Sequence, residues 1–160
     1  MNLTHLHLML NHAPILGTLF GLGLLGFGLW RKSMDNQKAA LGILVLAALL
    51  AVPVFLTGEP AEDAVENLPG VSRPTIEAHE AAATWAFVGT GLVGVSALGG
   101  LIVCRRGKPL PGWFGTAVLG TSLLVGGLMA WTANLGGQVR HSEIRANASI
   151  PAPNPAGDHE

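Results

Sequence analysis

Long apolar runs alternate with short polar links along the whole chain. Four runs carry no charge: Ala13 to Trp30, Ala39 to Thr57 with Pro53 near its end, Ala81 to Cys104, and Trp113 to Leu135. Each can cross the hydrocarbon of a bilayer, which needs roughly 17 to 25 residues, and each is bounded by charged or turn-forming residues. The pattern predicts an all-α integral membrane protein with four transmembrane helices in an up-down antiparallel bundle. That domain covers residues 1–141. The remainder, 142–160, is rich in proline with almost nothing apolar to bury, and is expected to form a mobile outer tail.

The first run reads as a permanent helix, because "MNLTHLH" lacks the positive region of a signal peptide and no small-residue cleavage site follows Trp30. Pro14 leaves its start open. Either the helix begins before Pro14, or Asn11 caps it and "THLHLML" is an irregular lead or a separate turn. Between the second and third runs, Pro60, Glu62 and Asp63 suit the first turn of a short helix reaching about Leu68. Pro69 and Gly70 then break the chain, and Ser72 or Thr75 can cap the third long helix.

Charge orients the bundle. The links after the first and third runs hold Arg31, Lys32, Lys38, Arg105, Arg106 and Lys108 against Asp35. The long connection between the second and third runs holds Glu59, Glu62, Asp63, Glu66, Glu77 and Glu80 against Arg73. Cationic loops stay in the cytoplasm, so both termini and the acidic connection are expected outside, on the periplasmic face of a bacterial inner membrane. Arg140 and Arg145 weaken this bias without reversing it.

Composition narrows the chemistry. Of 160 residues, 49% are hydrophobic, 12% are charged and 22 are glycine, well above the roughly 7% glycine of soluble domains. Small residues such as Gly17 and Gly21, or Gly89, Gly94 and Gly99, let helices approach closely in lipid. The single cysteine, Cys104, excludes an intramolecular disulfide, and there is no C-x-x-C-H for covalent haem attachment. No serine or cysteine nucleophile appears with a plausible base, the runs offer too few polar groups for a channel, and nothing points to nucleic acid. The chain is expected to carry no catalysis of its own.

What remains is histidine. His5, His7, His12, His79, His141 and His159 all fall on the expected outer side. His12 precedes the first run and His79 the third at matching depth, as a bis-histidine haem b requires of axial ligands on opposite faces of the ring. His141 and His7 are alternates. Ala82, Ala83, Ala86 and Gly89 share the face of His79 and leave room beside its ring. Asn134, Gln138 and His141 share another face if the fourth helix continues past Leu135, and could support a cofactor or a quinone carbonyl. A second chemistry is a transition-metal ion held by His12 and His79 with Glu59 or Glu80. A third reading is a polar collar at the water boundary. The expected function is therefore membrane electron transfer, serving a quinone or a respiratory redox protein within a larger membrane complex. The alternative is a non-enzymatic scaffold or metal-binding subunit whose acidic outer loop docks a soluble partner.

"LHLMLNHAPILG", with His7, His12 and Pro14, then Thr57 and Gly58 after the second run and His79 opening the third, resembles the bacterial four-helix membrane family known as domain of unknown function 2231. The resemblance extends to about His141 and departs from the family pattern at Leu8 and Ala13, where a proline and an aromatic are usual. Members are sometimes joined to Rieske-type iron-sulfur modules, which implies an electron-transfer setting. The family has no assigned mechanism, so the resemblance implies no catalytic residues.

Overall fold

The computed structural model describes residues 2–105, 108–141 and 144–145. Among these residues there are six helices and no strand: α1 (Leu3–Leu10), α2 (His12–Trp30), α3 (Met34–Leu56), α4 (Gly58–Asp63), α5 (Arg73–Arg105) and α6 (Gly112–Arg140). Four stretches are long and apolar enough to cross a membrane, namely Leu3–Trp30, which joins α1 to α2, and α3, α5 and α6. Most of the tail, His159 included, lies outside the described residues.

The lead before Pro14 is helical. Asn2 caps α1 by accepting the His5 N–H at 2.9 Å. Asn11 is not the side-chain cap of α2. It keeps helical dihedrals, donates its N–H to the His7 carbonyl, and makes no side-chain cap bond. Pro14 has no N–H for the Leu10 carbonyl, so the ladder lapses for one step while the backbone stays helical. Residues on both sides of Pro14 therefore share one register.

Successive contacts rise along one helix as they fall along its neighbour. Gly17 faces Ala47, Gly21 faces Leu44, and Gly28 faces Gln37. Likewise Gly89 faces Val125 and Gly136 faces His79. The helices pack in a ring, with α2 against α3 and α6, and α5 also against α3 and α6, so α2 and α5 sit on a diagonal. Glycine is required most at Gly94, where an added Cβ would collide with the Ala48 methyl.

Each helix turns one three-four stripe inward. On the first stretch the stripe is His7, Asn11, Pro14, Thr18, Gly21, Leu25 and Gly28; on α5 it is Ile76, His79, Ala83, Ala86, Thr90, Val93, Ala97, Gly100 and Cys104. Leu25, Leu41, Leu44 and Ala97 form the most enclosed part of the core. Leu16, Phe20, Leu49, Leu92 and Leu124 point outward, as lipid-facing side chains do.

Four tryptophans, 59–76% exposed, mark two levels. Trp30 and Trp113 are level because Leu29 lies against Gly115. Trp85 and Trp131 agree within a turn because Gly89 lies against Val125. Trp113 and Trp131 are separated by about 27 Å at a rise of about 1.5 Å per residue, close to the thickness of a hydrocarbon core. His79 lies roughly 9 Å beyond Trp85 on the same scale.

The connection from α3 to α5 differs from expectation. Its helix, α4, covers Gly58–Asp63 rather than Pro60 to Leu68, and turns follow through Leu68. Glu59, Glu62, Asp63 and Glu66 fall three or four residues apart, and such like-charged neighbours oppose further helix.

Candidate functional site

Two histidines enter the bundle at one end. The His7 Nδ1 lies 3.0 Å from the Val54 carbonyl and 3.3 Å from the Thr57 hydroxyl. The His79 Nδ1 lies 3.0 Å from the Thr132 carbonyl. A carbonyl only accepts, so each neutral imidazole carries its proton on Nδ1 and presents an Nε2 lone pair. No hydrogen bond to either Nε2 is made among the described residues. A ring nitrogen anchored to a carbonyl while the other stays basic is the habit of ligating histidine.

The local sequence creates both seats. Val54 stands in the last turn of α3, where helix carbonyls lack intrahelical donors, and its oxygen is shared by the Thr57 hydroxyl and His7. On α6, Gly136 admits the His79 ring, since a Cβ there would lie 2.9 Å from Cε1. Glycine at 136 thus opens the approach to the Thr132 carbonyl one turn earlier.

Depth pairs His7 with His79. Thr18 lies against Gly126, which makes His7 level with Gly137 and His12 level with Thr132, and His79 lies against Gly136. His7 reaches α3 from α1, and His79 reaches α6 from α5. Ala83, Ala86 and Gly89 lie beneath His79 on its side of α5, as the spacing predicts.

The other expected residues are placed differently. His12 is exposed, on the outward side of α2 and about one turn nearer the middle of the bundle than His7. Asn134 and Gln138 bond to each other at 2.7 Å; each is two residues from Gly136, on the far side of α6. His141 ends α6 and is exposed. Glu59 and Glu80 are exposed as well. Among the described residues no three His, Cys, Asp or Glu side chains gather as a metal shell, so His12, His79, Glu80 and Glu59 do not converge.

Comparison with protein-family models, curated proteins and solved structures finds no match to the chain.

Two residues join the site that spacing did not single out. Glu62 on α4 is half-buried, and its carboxyl is pushed up to about 7, first by burial and then by the negative charges of Glu80, Asp63 and Glu59. α1 helps to cover α4, with the Thr4 hydroxyl donating to the Pro60 carbonyl at 3.3 Å. Asn11 lies one turn below His7, and its Oδ1 is buried without a partner among the described residues. The signal for Asn11 was in the sequence, since His7, Asn11, Pro14, Thr18 and Gly21 follow one three-four register once the helix is read through Pro14. Beyond α6, Arg145 donates to the Gln138 and Gly70 carbonyls, both at 2.9 Å, and so caps that helix and ties it to the loop before α5.

Proposed function

We propose that this chain is a membrane electron-transfer protein in which His7 and His79 would hold haem b at the histidine end. What supports the reading is two imidazoles at one end of the bundle, each with Nδ1 committed to a helix carbonyl and Nε2 left as the basic nitrogen. The donor set fits the group, because two neutral imidazoles are the nitrogen donors that would hold a b-type haem. Bound haem would supply one-electron exchange. The chain's own residues orient both imidazoles through the Val54 and Thr132 carbonyls, and Gly136 leaves the His79 ring its place.

In this reading the bundle is up-down and antiparallel in a bacterial inner membrane, with both termini and the histidine end on the periplasmic side. The cationic links at the opposite end support that orientation. A quinone or a respiratory redox protein, within a larger membrane complex, would then exchange electrons beyond the Trp85 and Trp131 level. A second reading is favoured by Glu59, Glu62 and Asp63 on α4: a scaffold or metal-binding subunit whose acidic end docks a basic soluble partner.

Absorption spectra of protein purified after haem-replete expression separate the two. Haem ligation predicts a Soret band that His7→Ala and His79→Ala each abolish while helical circular dichroism persists. A wild-type protein without the band, binding a basic partner through α4 instead, supports the scaffold.

A further inference from the structure

At the end of the bundle opposite the histidines, a groove runs between α5 and α6 on the outer surface. Gly99, Gly100 and Val103 line it from α5, Leu110 from the link before α6, and Trp113 and Phe114 from the first turn of α6, with a volume of about 370 Å³. A further space of about 170 Å³ shares Ser96, Trp113 and Phe114 and continues the groove to Thr121. From Trp113 to Thr121 the trough is about 12 Å long at helical rise. It begins at the Trp30 and Trp113 level and runs toward the middle of the membrane.

Glycine makes the trough. Gly99 is exposed and has open space where a Cβ would stand. Gly100 lets Phe114 and Leu110 lie close to α5, since a Cβ there would be 3.1 Å and 3.2 Å from their side chains. The floor is almost wholly apolar, which suits a hydrocarbon chain.

Cations stand at its mouth. Arg105 follows Val103 by two residues, Lys108 precedes Leu110 by two, and both are exposed. Arg31 and Lys32 lie at the same end, Arg31 over the Trp30 ring at 5.9 Å. The only acid among the described residues of the two links at this end is Asp35. An apolar trough opening at a cationic rim at the membrane boundary matches a molecule with an acyl chain below and a negative charge above.

We propose that this groove binds an anionic phospholipid, with an acyl chain between α5 and α6 and the headgroup phosphate at Arg105 and Lys108. This is independent of what the histidine end holds.

The test is native mass spectrometry of the purified, delipidated full chain titrated with phosphatidylglycerol or with phosphatidylcholine of the same acyl chains. Phosphatidylglycerol should bind about tenfold more tightly. The double variant Arg105→Gln, Lys108→Gln should bring it down to phosphatidylcholine, and both residues are exposed, so the fold does not depend on them. Gly99→Leu, which fills the trough, should weaken both lipids, whereas Gly23→Leu, facing open space on α2, should leave both unchanged. Equal retention of the two lipids by the wild type would overturn the proposal, as would a preference that survives the double variant. So would a homodimer that Gly99→Leu dissolves, since a second copy would then occupy the groove.

Discussion

The middle of the bundle and its histidine end use the same inward register for opposite purposes. Around Gly94 and Ala48, and around Gly17 and Ala47, the stripe is made of residues too small to separate the helices, and the backbones meet. Farther along the α5 stripe comes His79, and on the first stretch come Asn11 and His7. Imidazoles there donate their Nδ1–H groups to the carbonyls of neighbouring helices. The contrast shows how one packing pattern supports two physical regimes. Close approach holds the part between the tryptophan levels, where no hydrophobic effect joins helices. Beyond those levels polar side chains are tolerable, and they can be specific because a rigid bundle positions them.

Breaking the tight region should have the largest effect on stability. Gly94→Val forces a side chain into Ala48 and should cost about 3 kcal/mol, read as a lower unfolding midpoint in detergent. Gly91→Val, on the exposed side of the same helix with open space around it, should stay within about 0.5 kcal/mol. If the two variants unfold alike, the inward register is misassigned.

At the histidine end, Gly136→Ala should cost about 1–2 kcal/mol, because its methyl displaces the His79 ring and weakens the bond to Thr132. The same substitution at Gly127, which has open space, should stabilise slightly or do nothing. Thermal unfolding of the two variants measures the difference.

Glu62 adds a pH dependence that the tight region lacks. Its folded-state pKa, about 7, exceeds the unfolded value, so the native state binds more protons between roughly pH 4.5 and 7. Its contribution is therefore fully present below that window and is lost as pH rises through it. Glu62→Gln should match the wild type near pH 4.5, melt higher than it at pH 8, and flatten the slope between. Equal slopes in melting curves across this range would place Glu62 in open solvent.

The smallest effect is expected at His12. It is exposed, so His12→Ala should stay within about 0.5 kcal/mol, where His7→Ala removes the bond to the Val54 carbonyl and should cost about 1 kcal/mol. Denaturation of both variants checks the ranking.

Much of the fold was legible because charge-free runs and their bounding links are local features: all four apolar stretches were identified, and His79 was correctly set over a face of small residues. The partner of His79 was not. Pro14 left the start of the first helix open, and only a helix continuing through it puts His7 on the inward stripe and turns His12 outward. Glu62 was read as an ordinary acid of a helix first turn. Its burial depends on α1 lying against α4, a contact that no spacing within the connection encodes.

His7 and His79, rather than His12 and His79, are proposed as the ligand pair. Hemin titration of the purified wild type, His7→Ala and His12→Ala, followed in the Soret region, distinguishes the two pairs. The prediction is saturable binding of one haem per chain by the wild type and by His12→Ala, and none by His7→Ala. Binding that survives His7→Ala but fails in His12→Ala, or a wild type that takes up no haem, would contradict it.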